Sequence, residues 1–175
     1  ITTGADLIVR NQPYWMNVVG MSTDTAIVCH QYDHSTLSSR DGDCNVLTVG
    51  SGGSLTAGSG LEFSASYTER IFLTRMSETT AIVCWRKYVS FGSSSSSGYC
   101  FTLFMSGQTL TKGVDLLLQS GDTTWPSPTA LSSTRALVCW RHHVSPYKGY
   151  CAVLTVGGTS LAKSTSVAIN GGGNT

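Results

Sequence analysis

Met21-Ser-Thr-Asp-Thr-Ala-Ile-Val-Cys29 returns as Met76-Ser-Glu-Thr-Thr-Ala-Ile-Val-Cys84, and again as Leu131-Ser-Ser-Thr-Arg-Ala-Leu-Val-Cys139, each copy 55 residues after the last. No insertion separates the copies. A fixed period of this length marks one supersecondary unit used repeatedly, because a single unit cannot bury its own apolar face. Within each copy, Ala26-Ile-Val-Cys29, Ala81-Ile-Val-Cys-Trp85 and Ala136-Leu-Val-Cys-Trp140 are apolar on both faces. Such a strand sits inside a stack of sheets and not on a solvated surface.

Upstream, each unit opens on a strand: Trp15-Met-Asn-Val-Val, Arg70-Ile-Phe-Leu-Thr-Arg and the degenerate Trp125-Pro-Ser-Pro-Thr-Ala. The polar turns Ser22-Thr-Asp, Ser77-Glu-Thr and Ser132-Ser-Thr have the chemistry that closes a hairpin. Downstream of a variable loop, a third strand starts at a second cysteine: Cys44-Asn-Val-Leu-Thr-Val, Cys100-Phe-Thr-Leu-Phe-Met and Cys151-Ala-Val-Leu-Thr-Val. A Gly-containing turn leads to Ser54-Leu-Thr, Thr109-Leu-Thr and Ser160-Leu-Ala. A fourth strand closes each unit at Leu61-Glu-Phe, Val114-Asp-Leu-Leu-Leu and Ser166-Val-Ala-Ile.

The chain is therefore expected to be all-β: three tandem four-stranded antiparallel meander units, like the blades of a β-propeller. A β-trefoil or a three-sided β-prism, which close with three units, and an open β-stack are the alternatives. The repeats are predicted over residues 14–63, 69–118 and 124–169, followed by a tail at 170–175. Ahead of them Asp6, Leu7, Ile8 and Val9 read as an orphan strand, the fourth strand of a blade whose other three are missing. Propellers typically need four to eight blades, so three alone leave a ring unfinished.

The sequence of elements, with Ala-hydrophobic-Val-Cys-aromatic-Arg, a loop, Gly-Tyr-Cys, Val-Leu-Thr-Val-Gly and Thr-Ser-Leu, resembles tandem β-propeller-type repeats of extracellular proteins. The resemblance runs from about Asp6 to Ile169 and implies blade-like sheets. It implies little about activity, because propellers host enzymes, lectins and scaffolds alike. The first unit departs from the pattern with His30 in place of Trp, and the third with its Pro-rich opening strand.

Six cysteines fall as one pair per repeat, Cys29/Cys44, Cys84/Cys100 and Cys139/Cys151. The first member ends the second strand and the other starts the third, so the two face each other across a hairpin. An even count locked to the repeat predicts three disulfides and an oxidising, extracellular setting. Closing a loop of ~15 residues contributes ~3 kcal/mol in the chain-entropy model.

Directly after the first cysteine come His30-Gln-Tyr-Asp33, Trp85-Arg-Lys-Tyr88 and Trp140-Arg-His-His143, while Tyr99 and Tyr150 precede the second. Trp85, Arg86, Tyr99, Trp140, Arg141 and Tyr150 form a candidate sugar-binding set, in which a ring takes the C–H face of a sugar and Arg donates to its hydroxyls. The competing reading makes each Trp inter-blade packing, covered by Arg through a cation–π contact. His30, His34, His142 and His143 read as solvated, and adjacent residues of a strand point to opposite faces. Asp33, Asp41 and Asp43 lack the ordered oxygen spacing of a calcium loop. Gly92 to Gly98, with its run of serines, reads as a flexible loop tip. No metal, cofactor or catalytic constellation is expected.

Charged residues are 12% of the chain and the net charge is +1. That weighs against a nucleic-acid partner, which needs a basic stripe, and no apolar run reaches the length of a membrane span. The chain begins without Met and reads as a processed mature segment. The expected function is a non-catalytic extracellular structural or adhesive protein. It would assemble with copies of itself through open edges, Asp6–Val9 among them, into an oligomer, ring or fibril. The alternative is a lectin-like module binding glycans.

Overall fold

The computed structural model describes residues 13–33, 40–88, 93, 95–143 and 148–169, the side chain of Asp33 aside. The Asp6–Val9 strand, His34 and the 170–175 tail lie outside the described residues. The first sheet comprises β1 (Pro13–Gly20), β2 (Thr25–Asp33), β3 (Arg40–Val49), β4 (Leu55–Ala57) and β5 (Leu61–Ser64). The second comprises β6 (Thr68–Arg75), β7 (Thr80–Tyr88), β8 (Ser96–Ser106), β9 (Thr109–Lys112) and β10 (Leu116–Gln119). The third comprises β11 (Thr123–Ala130), β12 (Arg135–His142), β13 (Lys148–Gly157), β14 (Ser160–Lys163) and β15 (Val167–Ile169). The chain is thus all-β, with three repeated antiparallel meanders. No helix of the described residues is long and apolar enough to cross a membrane.

Each meander differs from the simple four-strand pattern in one respect. The outer strand is broken in two, and both pieces pair with the same long third strand: β4 and β5 with β3, β9 and β10 with β8, β14 and β15 with β13. The Ser54-Leu-Thr segment and its two counterparts are therefore the first halves of edge strands.

Local chemistry explains the hairpins. Ser22 Oγ accepts from the backbone N–H groups of Asp24 and Thr25, and Ser132 Oγ from Thr134 and Arg135. Ser77 repeats the contact with Thr79. These turns close with Met21, Met76 and Leu131 N–H donating to the carbonyls of Thr25, Thr80 and Arg135. The prolines of β11 are tolerated because it lies at the edge of its sheet, where a missing N–H breaks no ladder. The serine tract is more ordered than its composition suggests: Ser96 and Ser97 begin β8, and Ser96 is fully buried.

Among the described residues the buried apolar side chains other than Val28 fall into two clusters. One lies between the first and second sheets, with Ile27, Val46 and Phe63 against Val83, Trp85 and Phe101. The other lies between the second and third, with Ile82 and Leu118 against Val138, Trp140 and Leu154. The sheets stack serially, as blades do. The two interfaces are the same interface used twice. In each, the face of one sheet that carries its disulfide meets the opposite face of the next sheet.

All six cysteines are bonded: Cys29–Cys44, Cys84–Cys100 and Cys139–Cys151. Each pair is directly opposite across its hairpin. Three such bonds mark an oxidising, non-cytoplasmic compartment.

Candidate functional site

The Trp/Arg/Tyr set is split by the strand period. Trp85 and Arg86 are consecutive in β7, so their side chains leave on opposite faces. Trp85 faces the first sheet and is 1% exposed. Its ring stacks on Tyr99 (5.5 Å) and meets Phe63 and Phe101 edge-on at 5.4 and 5.3 Å. Trp140 repeats the arrangement against the second sheet, 3% exposed and stacked on the half-buried Tyr150 at 6.1 Å. Neither indole offers an open face to a sugar.

Arg86, on the other face, ties the second sheet to the third. Its Nη2 donates to Asp122 Oδ1 (2.7 Å) and its Nε to Ser96 Oγ (2.8 Å), while Tyr88 lies under the guanidinium at 4.2 Å. His143 Nδ1 stands 3.5 Å from Asp122 Oδ2. Arg141 is exposed on the disulfide face of the third sheet. A small cleft of about 70 Å³ lined by Lys87, Tyr88, Ser97 and Tyr99 is well below the ~300 Å³ of an ordinary ligand pocket.

Lysine supplies a second tie. Lys112, on β9, lies 5.8 Å from the Trp85 ring and donates to the Phe63 carbonyl of the first sheet at 2.9 Å. Lys163, on β14, lies 5.6 Å from Trp140 and donates to the Leu118 carbonyl of the second sheet. In the first unit, His30 and Ala57 stand at these two positions.

A third feature was legible only as the opening residues of the repeats. Trp15, Arg70 and Trp125 each sit in a β-bulge of a first strand, between the register shifts Tyr14/Asn17, Glu69/Phe72 and Thr124/Ser127. All three have left-handed backbone, φ 43°, 54° and 57°. Bulges re-aim side chains, and these three aim theirs at one point. The Arg70 guanidinium lies 3.7 Å from the Trp125 ring centre and 5.1 Å from that of Trp15. The indoles remain 44% and 47% exposed.

Nearby, Glu69 accepts from the hydroxyls of Tyr67 (3.1 Å) and Tyr88 (3.3 Å). Burial, reinforced by the Glu69 carboxylate, pushes the Tyr67 phenol up to about 12 and raises Tyr88 as well. Asp41 and Asp43 are buried on the outer face of the first sheet, as is His30. His142 lies edge-on to Tyr150 at 6.2 Å.

The third sheet differs from the others in what covers it. On its disulfide face Leu131 is 58% exposed, where its repeat equivalents Met21 and Met76 are 0% and 7%. Ile169 is 52% exposed, where Phe63 and Leu118 are 4% and 1%. Leu137, Cys139, Cys151 and Val153 are partly exposed, while Ile27, Cys29, Cys44 and Val46 are fully buried.

Neither family models, nor curated proteins, nor solved structures yield a match to this chain.

Proposed function

We propose that this chain is a non-catalytic, extracellular structural or adhesive repeat protein that assembles with copies of itself into an oligomer, ring or fibril. The observation that carries the reading is the uncovered disulfide face of the third sheet. It has the apolar residues that the first and second sheets bury at the same positions, with nothing of the described chain packed on it. A contiguous apolar face rimmed by polar residues is where proteins meet partners. The low charge content and the three disulfides fit a secreted building block. Light scattering over a dilution series tests the reading. It predicts a mass above 18.6 kDa that rises with concentration; a monomer at every concentration would count against it.

Glycan binding remains the second reading, moved to a different place. Trp15 and Trp125 are the half-exposed indoles, and they flank a cation. A glycan array should then lose signal on Trp15→Ala and Trp125→Ala but not on Trp85→Phe. An array blank for the wild type would remove this reading.

A further inference from the structure

We infer that Trp15, Arg70 and Trp125 form a binding site for a carboxylated saccharide, the guanidinium taking the acid and the indoles taking the sugar ring. This rests on the glycan reading and names its ligand class. Other cations of the chain have carboxylates beside them: Arg75, Arg86 and Lys112 lie 4.0, 2.7 and 2.8 Å from Glu78, Asp122 and Asp115. Arg70 has no such partner among the described residues, and its neighbour Glu69 is taken up by the hydroxyls of Tyr67 and Tyr88. The Nε and Nη1 of Arg70 are buried with no hydrogen-bond partner. Unpaired buried donors are a cost that folded chains ordinarily avoid, and a charged group raises it. Nη2 is neither bonded to a described group nor sealed off, so an acceptor can reach the cation there.

The surroundings of that cation select the ligand. The two indoles stand edge to face, 6.4 Å apart with their planes at 87°, and each keeps nearly half its surface in solvent. Trp85 and Trp140, by contrast, are sealed between sheets. A guanidinium 3.7 Å from the centre of a ring has lost much of its water, so an anion gains more from it than from a fully solvated arginine. A carboxylate matches its donors, and an indole face takes the C–H face of a sugar. A sugar acid offers both groups within one residue. A neutral sugar leaves the cation unpaired, and a bare carboxylate leaves the indoles open. The backbone points the same way. Left-handed φ at all three residues is strain of the kind that gathers at ligand sites, and the bulges that impose it bring the three side chains together.

An array of uronic-acid and sialic-acid oligosaccharides, printed beside their methyl esters, tests this on the wild-type chain. The acids should bind about tenfold more tightly than the esters, and added salt should narrow the gap. Trp15→Ala and Trp125→Ala should weaken acids and esters alike. Arg70→Gln, with its fold checked by circular dichroism, should abolish the preference for the acids. Acids and esters bound equally would overturn the carboxylate and leave the glycan reading standing. A preference for acids that survives in folded Arg70→Gln would overturn the site. A polyglutamate peptide bound as tightly as the acids would overturn the saccharide. An array blank throughout would overturn both this inference and the reading it rests on. The comparison of acid with ester needs no variant, so it decides even where Arg70→Gln fails to fold.

Discussion

Trp15, Arg70 and Trp125 occupy backbone that bulky residues avoid, and three left-handed bulges at one repeat position are not chance. Each such residue costs of order 1–3 kcal/mol unless its surroundings hold it. The cation between two indoles is what holds these, since a cation–π contact contributes ~0.5–2 kcal/mol. Arg70→Met should lower stability by about 1–2 kcal/mol, read from the urea midpoint. An unchanged midpoint would leave the bulges unexplained. The tyrosine pair makes a second prediction. Because burial raises the Tyr67 pKa from 10.0 to about 12, the folded state binds that proton more tightly than the unfolded chain does. The resulting stability is fully present below pH 10 and is lost as pH rises through about 12. Absorbance titration should show tyrosine ionisation extending up to about pH 12, and Glu69→Gln should bring both Tyr67 and Tyr88 down. At this scale the sequence was a partial guide. The alternation rule that sends neighbouring histidines to opposite faces also separates Trp85 from Arg86, so they were never one site. The packing of Trp85 and Trp140 was legible as one of two readings, but burial depends on the neighbouring sheet and decides between them. Trp15 and Trp125 were visible two periods apart, yet no strand pattern reveals a bulge.

The hairpin of second and third strand is the unit that repeats most faithfully, and its disulfide is its clasp. Cys139–Cys151 closes the shortest loop of the three, with a sequence separation of 12 against 15 and 16. Replacing both cysteines by serine should cost ~3 kcal/mol in the chain-entropy model. Calorimetry of the double variant checks this, and a loss under about 1 kcal/mol would mean that the reduced chain is already constrained. Element types were legible because apolar runs, serine turns and cysteines recur in step. The break in each outer strand was legible only as two short segments. What joins them is pairing to a common neighbour, a long-range fact. Likewise the serine tract looked like a loop, but Ser96 is held by Arg86 and Asp122 from 10 and 26 residues away.

For the whole molecule, three units and a period of 55 residues left open whether the sheets close on themselves or stack. Side-chain burial answers it, with two buried apolar layers among the described residues, while the first and third sheets touch through the rings of Trp15 and Trp125, edge-on at 6.4 Å. The chain is a run of blades, and the disulfide face of the third sheet is left uncovered by the described residues. No local signal could report this, because the third disulfide face has the same residue types as the two that are covered. The account stands or falls on whether that face is where copies meet. The rate at which Cys139–Cys151 is reduced and alkylated, followed by mass spectrometry against protein concentration, measures it most directly. The account predicts that this bond, partly exposed in one copy, is reduced progressively more slowly as concentration rises. Cys29–Cys44 and Cys84–Cys100, fully buried, should resist throughout. A Cys139–Cys151 rate that stays constant while light scattering shows association would contradict it.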